Sequence, residues 1–78
     1  MKGVDKMTKL EYLRKQRGLT QTKLAELIGI NKVTMNLIEK KKLKAYPKAI
    51  KALSEFFNKS PDELFEPDGE PKDLTINI

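Results

Sequence analysis

Apolar residues recur at intervals of three and four along most of this chain, which is the spacing of short amphipathic helices. Ile50, Leu53 and Phe57 show this spacing clearly, as do Leu24 and Ile28 earlier in the chain. The pattern predicts five helices, at residues 8–17, 21–28, 32–41, 47–58 and 61–66. We therefore expect a compact all-α domain over residues 8–66.

Residues with helix-capping preferences stand at the predicted ends. Thr8 and Glu11 have the spacing of a capping box, and Ser60 and Glu63 repeat it before the fifth helix. Only about three residues, centred on Gly29, separate the second helix from the third. Because so short a connection is not an ordinary reversing loop, we expect these two helices to cross steeply.

The two ends of the chain carry weaker signals. Residues 1–7 are expected to be a flexible N-terminus. Proline, aspartate and glycine mark a boundary near residue 67, and the stretch from Leu74 to Ile78 alternates apolar and polar residues like a short strand. We expect residues 67–78 to form a C-terminal tail that is either disordered or exchanged as a strand between two copies.

Composition removes most enzyme and metal chemistry from consideration. The chain contains neither cysteine nor histidine, so the usual nucleophiles, general bases and transition-metal ligands are missing. A Schiff-base lysine, the remaining alternative, needs a buried lysine, and every lysine falls on a predicted outer face or loop. No stretch approaches the roughly 20 apolar residues that span a bilayer. We expect a cytoplasmic protein that is not an enzyme, has no cofactor or metal and does not contact membranes.

The formal net charge of +5 is unevenly distributed along the 78 residues. Residues 1–44 contain 12 Lys or Arg and 4 Asp or Glu, whereas residues 45–78 contain 4 and 7. The basic half is where a polyanion would bind. A basic face that is merely solvated fits this observation equally well.

The segment QTKLAELIGINKVTMNLIE, from Gln21 to Glu39, resembles the helix-turn-helix of Cro and C1-type phage repressors, also called the Xre family. The resemblance covers Leu10 to Phe65 and implies a lambda repressor-like fold. Its apolar positions would fill the wedge between the two crossing helices, at Leu24, Ile28, Ile30, Met35 and Ile38. Ala25 is small where the helices approach, and Gly29 suits a turn with positive φ.

The resemblance implies that the third helix contacts DNA bases. Met35 and Ile38 define its inner stripe, so the residues on its other side face outward. Asn36 can pair bidentately with adenine, and Val33 can pack on a thymine methyl group. The expected base-contacting residues are Asn31, Lys32, Val33, Asn36 and Leu37, each of which has ordinary solvation as its alternative. Leu37 departs from the polar residue common in the family and fits either a thymine methyl or a protein partner.

The resemblance also implies phosphate contacts and one ion pair. Free amides and the positive dipole end make the start of the second helix a phosphate site. The expected phosphate-contacting residues are Gln21, Thr22, Lys40, Lys41, Lys42 and Lys44. Arg14 and Glu39 would form a buried ion pair, and the alternative is two unrelated surface charges.

Specific affinity of such small domains normally comes from two copies on half-sites one helical turn apart, so a homodimer is expected. The resemblance places its interface near the fifth helix, at Phe56, Pro61, Leu64 and Phe65. The leading hypothesis is a transcriptional regulator that binds double-stranded DNA and acts as a repressor by occupying an operator. The alternative is an antitoxin or adaptor whose main partner is another protein, such as a toxin; the apolar Val33 and Leu37 motivate it.

Overall fold

The computed structural model describes residues 7–74, and this part of the chain is all-α apart from two isolated antiparallel bridges. The helices are α1 (Lys9–Gln16), α2 (Gln21–Ile28), α3 (Lys32–Glu39), α4 (Pro47–Phe57) and α5 (Pro61–Leu64). The predicted five-helix fold is confirmed. The predictions for residues 1–6 and 75–78 lie outside the described residues.

All five helices contribute to one hydrophobic core. The buried apolar side chains are those of Leu10, Leu24, Ala25, Met35, Ile38, Ala45, Ala49, Leu53, Phe57, Leu64 and Phe65. Ile28 and Ile30 are partly buried against this core. The residues expected in the wedge between α2 and α3 therefore lie where the apolar spacing placed them.

Gly29 ends α2 in the left-handed region, with φ of +77°. An ordinary side chain is strained at that φ, which is why glycine suits the turn. Asn31 then caps α3, and its side-chain oxygen accepts hydrogen bonds from the backbone N–H groups of Val33 and Thr34. Two residues with special backbone preferences thus set the direction in which α3 leaves the turn.

α3 and α5 each end two residues before the predicted position. α3 ends at Glu39 because Lys41 adopts the left-handed conformation, with φ of +63°, and the N–H of Lys42 donates to the Leu37 carbonyl at 2.8 Å. These contacts are typical of a helix C-terminus that turns back on its last carbonyls. α5 ends at Leu64, because Phe65 is extended and forms a bridge with Pro71. The predicted ends at residues 41 and 66 are therefore wrong.

The segment from residue 67 to 74 packs on the domain and is not a free tail. Thr8 forms an antiparallel bridge with Asp73, and the N–H of Leu74 donates to the Met7 carbonyl at 2.8 Å. The buried Pro71 lies between these contacts and α5. The boundary predicted at residue 67 thus has to move toward the C-terminus, because backbone pairing with residues 7–9 incorporates this segment.

Within residues 7–74, no helix is long and apolar enough to cross a membrane. The same residues contain no group of three or more Asp or Glu side chains arranged to hold a metal ion.

Candidate nucleic-acid interface

The N-terminal part of α3 is exposed, while its opposite face is buried. Asn31, Lys32 and Val33 are exposed, and Val33 keeps 61% of its surface accessible. Asn36 and Leu37, one turn later, are half-buried. Of the five residues expected to contact bases, three therefore lie fully on the surface and two on its margin.

Asn31 caps α3 and is also one of the residues expected to contact a base. Its side-chain oxygen Oδ1 accepts from Val33 N at 2.7 Å and from Thr34 N at 3.4 Å, which caps the helix. Only its amide NH₂ group is then free to donate to an acceptor outside the protein. The cap thus limits Asn31 to donating to a base or to a phosphate.

Arg14 and Glu39 form a buried, bidentate ion pair. Arg14 Nε lies 2.7 Å from Glu39 Oε2, and Arg14 Nη2 donates to Oε1 at 3.1 Å. A third guanidinium nitrogen, Nη1, donates to the Leu19 carbonyl at 2.7 Å. The two residues are 8% and 1% exposed. The structure therefore joins the last turn of α1 to the last turn of α3 through an ion pair that is almost inaccessible to water.

Gln21 extends this pair toward the surface of α3. Its amide nitrogen Nε2 donates to Glu39 Oε1 at 2.9 Å, and its oxygen Oε1 accepts from Asn36 Nδ2 at 2.9 Å. The structure thus brings together a residue expected at a phosphate and a residue expected at a base. Sequence reasoning assigned each of them to DNA and missed their contact with each other.

The start of α2 also offers free backbone donors. Thr20 caps the helix by accepting from Lys23 N at 3.0 Å, which leaves the amides of Gln21 and Thr22 without an acceptor inside the helix. Thr22 is exposed. The two amides and the helix dipole favour an anion at this end.

The lysines after α3 are exposed, but two of them are paired with acidic residues of the C-terminal segment. Lys41 Nζ lies 2.7 Å from Asp73 Oδ1, and Lys44 Nζ lies 3.2 Å from Asp68 Oδ2. Among residues 7–74, no ion pair engages Lys40 or Lys42. Asp73 and Asp68 therefore compete with DNA phosphates for Lys41 and Lys44, two of the four lysines expected at phosphates.

These pairs shift the pKa of groups on both sides. The hydrogen bond to Asp73 raises the pKa of Lys41 above its ordinary value. The pKa of Asp68 is lowered, first by the Glu70 backbone N–H that its carboxylate accepts and then by Lys44. The excess of acidic residues in 45–78 could have indicated these ion pairs. It was not used in this way, because residues 67–78 were expected to form a separate tail.

The residues expected at a dimer interface divide into core and surface. Leu64 and Phe65 are 1% and 3% exposed, so they belong to the core and are not available to a second copy. Phe56 is half-buried, with its ring 5.0 Å from that of Phe57, and Arg17 lies 5.1 Å from both ring centres. The expectation that Leu64 and Phe65 lie at a dimer interface is therefore wrong, because both side chains are buried in the core of the subunit.

An open groove of about 700 Å³ runs along α4 and reaches Pro61, which is exposed. Ile50, Ser54 and Lys59 are among the residues that line it. Of the four residues expected at a dimer interface, Pro61 borders this groove, and Phe56 remains partly accessible.

Comparison with known proteins agrees with this geometry. A helix-turn-helix family model matches residues 10–64, from the second residue of α1 to the end of α5. Neither the curated proteins nor the solved structures give a match. The matched family consists of DNA-binding transcription regulators that are usually not enzymes. The chain therefore belongs to the Cro/C1-type helix-turn-helix family, the Xre family, whose domain has the lambda repressor-like fold.

Proposed function

We propose that this protein is a cytoplasmic repressor that binds an operator in double-stranded DNA as a homodimer, with α3 in the major groove. The observation that carries the proposal is the two-sided character of α3: Met35 and Ile38 are fully buried, while Lys32 and Val33 are exposed at its start. A helix held this way presents its outer face to a groove wide enough to admit it.

The outer face of α3 supplies the base contacts in this proposal. Asn36 pairs with adenine, Lys32 donates to guanine acceptors, and Val33 packs on a thymine methyl. The proposed set is Asn31, Lys32, Val33, Asn36 and Leu37. Because Asn36 and Leu37 are half-buried, they contact the base pairs nearest the protein, one turn along α3 from Lys32.

The flanks of α3 supply the phosphate contacts. The proposed set is Gln21, Thr22, Lys40, Lys41, Lys42 and Lys44. Gln21 and Thr22 act mainly through their backbone amides at the start of α2, and Lys40 and Lys42 act through ammonium groups that no ion pair within residues 7–74 engages. Lys42→Ala should weaken binding to all sequences alike and reduce the salt dependence by about one phosphate contact.

Two copies bind half-sites about one helical turn apart. The proposed contact between copies involves Phe56, which is partly accessible, and Pro61, which borders the groove along α4. Occupation of the operator is by itself sufficient to block polymerase, so repression is the effect assigned to the bound dimer.

Selection from a random pool of duplex oligonucleotides tests this proposal. The expected result is a motif of two symmetry-related half-sites, with centres about 10 base pairs apart. Binding should weaken steeply as salt is raised, because bound lysines release counterions from the duplex. No enriched motif, together with no salt-dependent binding of random duplex, would refute the proposal.

An antitoxin or adaptor is the second candidate function. It is favoured by the exposed apolar surface of Val33, at 61%, and of Leu43, at 41%, near the two ends of α3. Such surface is commonly covered by another protein. Copurification with a stoichiometric toxin, combined with loss of that complex in Val33→Ser but unaltered DNA affinity, would favour this candidate.

A further inference from the structure

Two hydrogen bonds link Asn36 to Glu39 through Gln21, and the donor and acceptor of each are fixed. Glu39 is ionised in its pair with Arg14 and can only accept, so Gln21 must turn its NH₂ group toward it. The oxygen of Gln21 then faces Asn36, which must in turn present its own NH₂ group. The charge of one buried carboxylate thereby determines how two successive amides are oriented.

This chain of hydrogen bonds ends at the side-chain amide of Asn36, part of which remains free to contact DNA. One N–H of Nδ2 is used by Gln21, which leaves Oδ1 as an acceptor and the second N–H as a donor. Adenine offers a matching pair in the major groove, the N6 amino group and the N7 acceptor. Guanine offers two acceptors, N7 and O6, so an amide held in this orientation matches only one of them.

We infer that Gln21 is a positioning residue for base specificity, which holds the Asn36 amide in the orientation that accepts adenine and rejects guanine. The inference rests on the proposed function and adds a role to Gln21 that differs from phosphate contact. A free asparagine can rotate its amide and turn its NH₂ toward guanine acceptors. An asparagine held through Nδ2 cannot do so without breaking its bond to Gln21.

The anchor of this arrangement is rigid. Glu39 is 1% exposed, and Arg14 contacts it through two nitrogens while a third donates to the Leu19 carbonyl. The chain of contacts crosses α1, α2 and α3, so the orientation of Asn36 depends on how these three helices pack. Such an arrangement is set before DNA arrives and costs little ordering on binding.

The experiment compares Gln21→Met, Asn36→Ala and the double variant on duplexes that differ only by adenine or guanine at the position Asn36 contacts. The wild type should prefer adenine by about tenfold or more. Gln21→Met, of similar length but without the amide, should reduce this preference about threefold or more, and Asn36→Ala should abolish it. In the Asn36→Ala background, Gln21→Met should have no further effect on the preference. An equal effect in both backgrounds would overturn the inference, because Gln21 would then not act through Asn36.

Gln16→Met is the matched control, since Gln16 is an exposed glutamine whose amide, within residues 7–74, bonds only to the Tyr12 hydroxyl. It should leave the preference for adenine unchanged. Gln21→Leu is a second variant in case Gln21→Met does not fold, and thermal unfolding of each variant verifies the fold.

A measurement without DNA separates this inference from the proposed function. The side-chain NH₂ signal of Asn36 in ¹H–¹⁵N spectra should shift in Gln21→Met and stay in place in Gln16→Met. An unchanged Asn36 signal overturns the inference even if the protein binds an operator. A shifted signal in a protein that binds no DNA instead refutes the proposed function and, with it, the role in specificity.

Discussion

Gly69 lies directly against the backbone of Ala45: its carbonyl accepts the Ala45 N–H at 2.9 Å, and a Cβ on the glycine would stand 2.5 Å from the Ala45 carbonyl oxygen. Gly69 also has φ of +94°, a conformation that residues with a side chain rarely adopt. The C-terminal segment can therefore approach the loop before α4 only because residue 69 lacks a side chain.

Gly69→Ala should lower the free energy of unfolding by about 2–3 kcal/mol, because strain at φ adds to a clash with backbone atoms that cannot rotate away. Urea unfolding followed by circular dichroism measures the change. Gly18→Ala is the matched control: its φ is +67°, but no atom lies within 4 Å of the added Cβ. It should cost only the strain, about 1 kcal/mol. Equal losses in the two variants would contradict this account.

Arg14→Met should lower the free energy of unfolding by about 3–5 kcal/mol, because it leaves the Glu39 carboxylate buried without its partner. The same urea experiment measures it. Lys15→Gln, which breaks the partly exposed i,i+4 pair with Glu11 at 3.0 Å, should cost about 0.5 kcal/mol or less. A loss in Arg14→Met no larger than in Lys15→Gln would mean that the buried pair does not stabilise the fold.

Asp68→Asn should strengthen DNA binding and increase its salt dependence by up to about one phosphate contact, because it releases Lys44 from its ion pair. Fluorescence anisotropy at several salt concentrations measures both quantities. Glu55→Gln makes the same change in net charge on α4 and breaks no ion pair within residues 7–74. If both variants gain affinity equally, net charge alone explains the gain.

Acid should destabilise the start of α5. The pKa of Glu63 is lowered, first by the Ser60 backbone N–H and then by the Ser60 hydroxyl, both of which donate to its carboxylate. A carboxylate with a lowered folded-state pKa stabilises the fold above its unfolded value of 4.5, and this stabilisation is lost as the pH falls through the folded value. The melting temperature should therefore fall below about pH 4.5 less steeply in Glu63→Gln than in the wild type. Parallel curves would show that the contact contributes nothing to acid stability.

The sequence predicts the helices and the wedge between α2 and α3 because these depend on local caps and on apolar spacing. Gly29 and Asn31 are informative by residue type alone. The contacts of Asp73 and Asp68 were not predictable in this way, since they join residues far apart in sequence through exposed side chains. The resemblance placed Leu64 and Phe65 at a dimer interface, but both side chains are buried within the subunit, and resemblance to a family does not specify how deeply each side chain is buried here.

The orientation of the Asn36 amide was likewise not predictable from the sequence. Sequence indicated that Asn36 and Gln21 face DNA, but amide hydrogen bonds between two helices depend on the crossing angle, which no local pattern specifies. The expected pair of Arg14 and Glu39 was accessible only through resemblance to a family. Its extension to Gln21 depends on how the start of α2 approaches the end of α3.

The hydrogen bond between Leu74 and Met7 brings together two positions that lie at opposite ends of the described chain. A short linker could join them and allow the chain to be opened elsewhere, as in a circular permutant. A domain fused at either position would emerge at the same place, beside the start of α1. Fusions intended to bring a second activity to DNA can therefore use either position with nearly the same geometry.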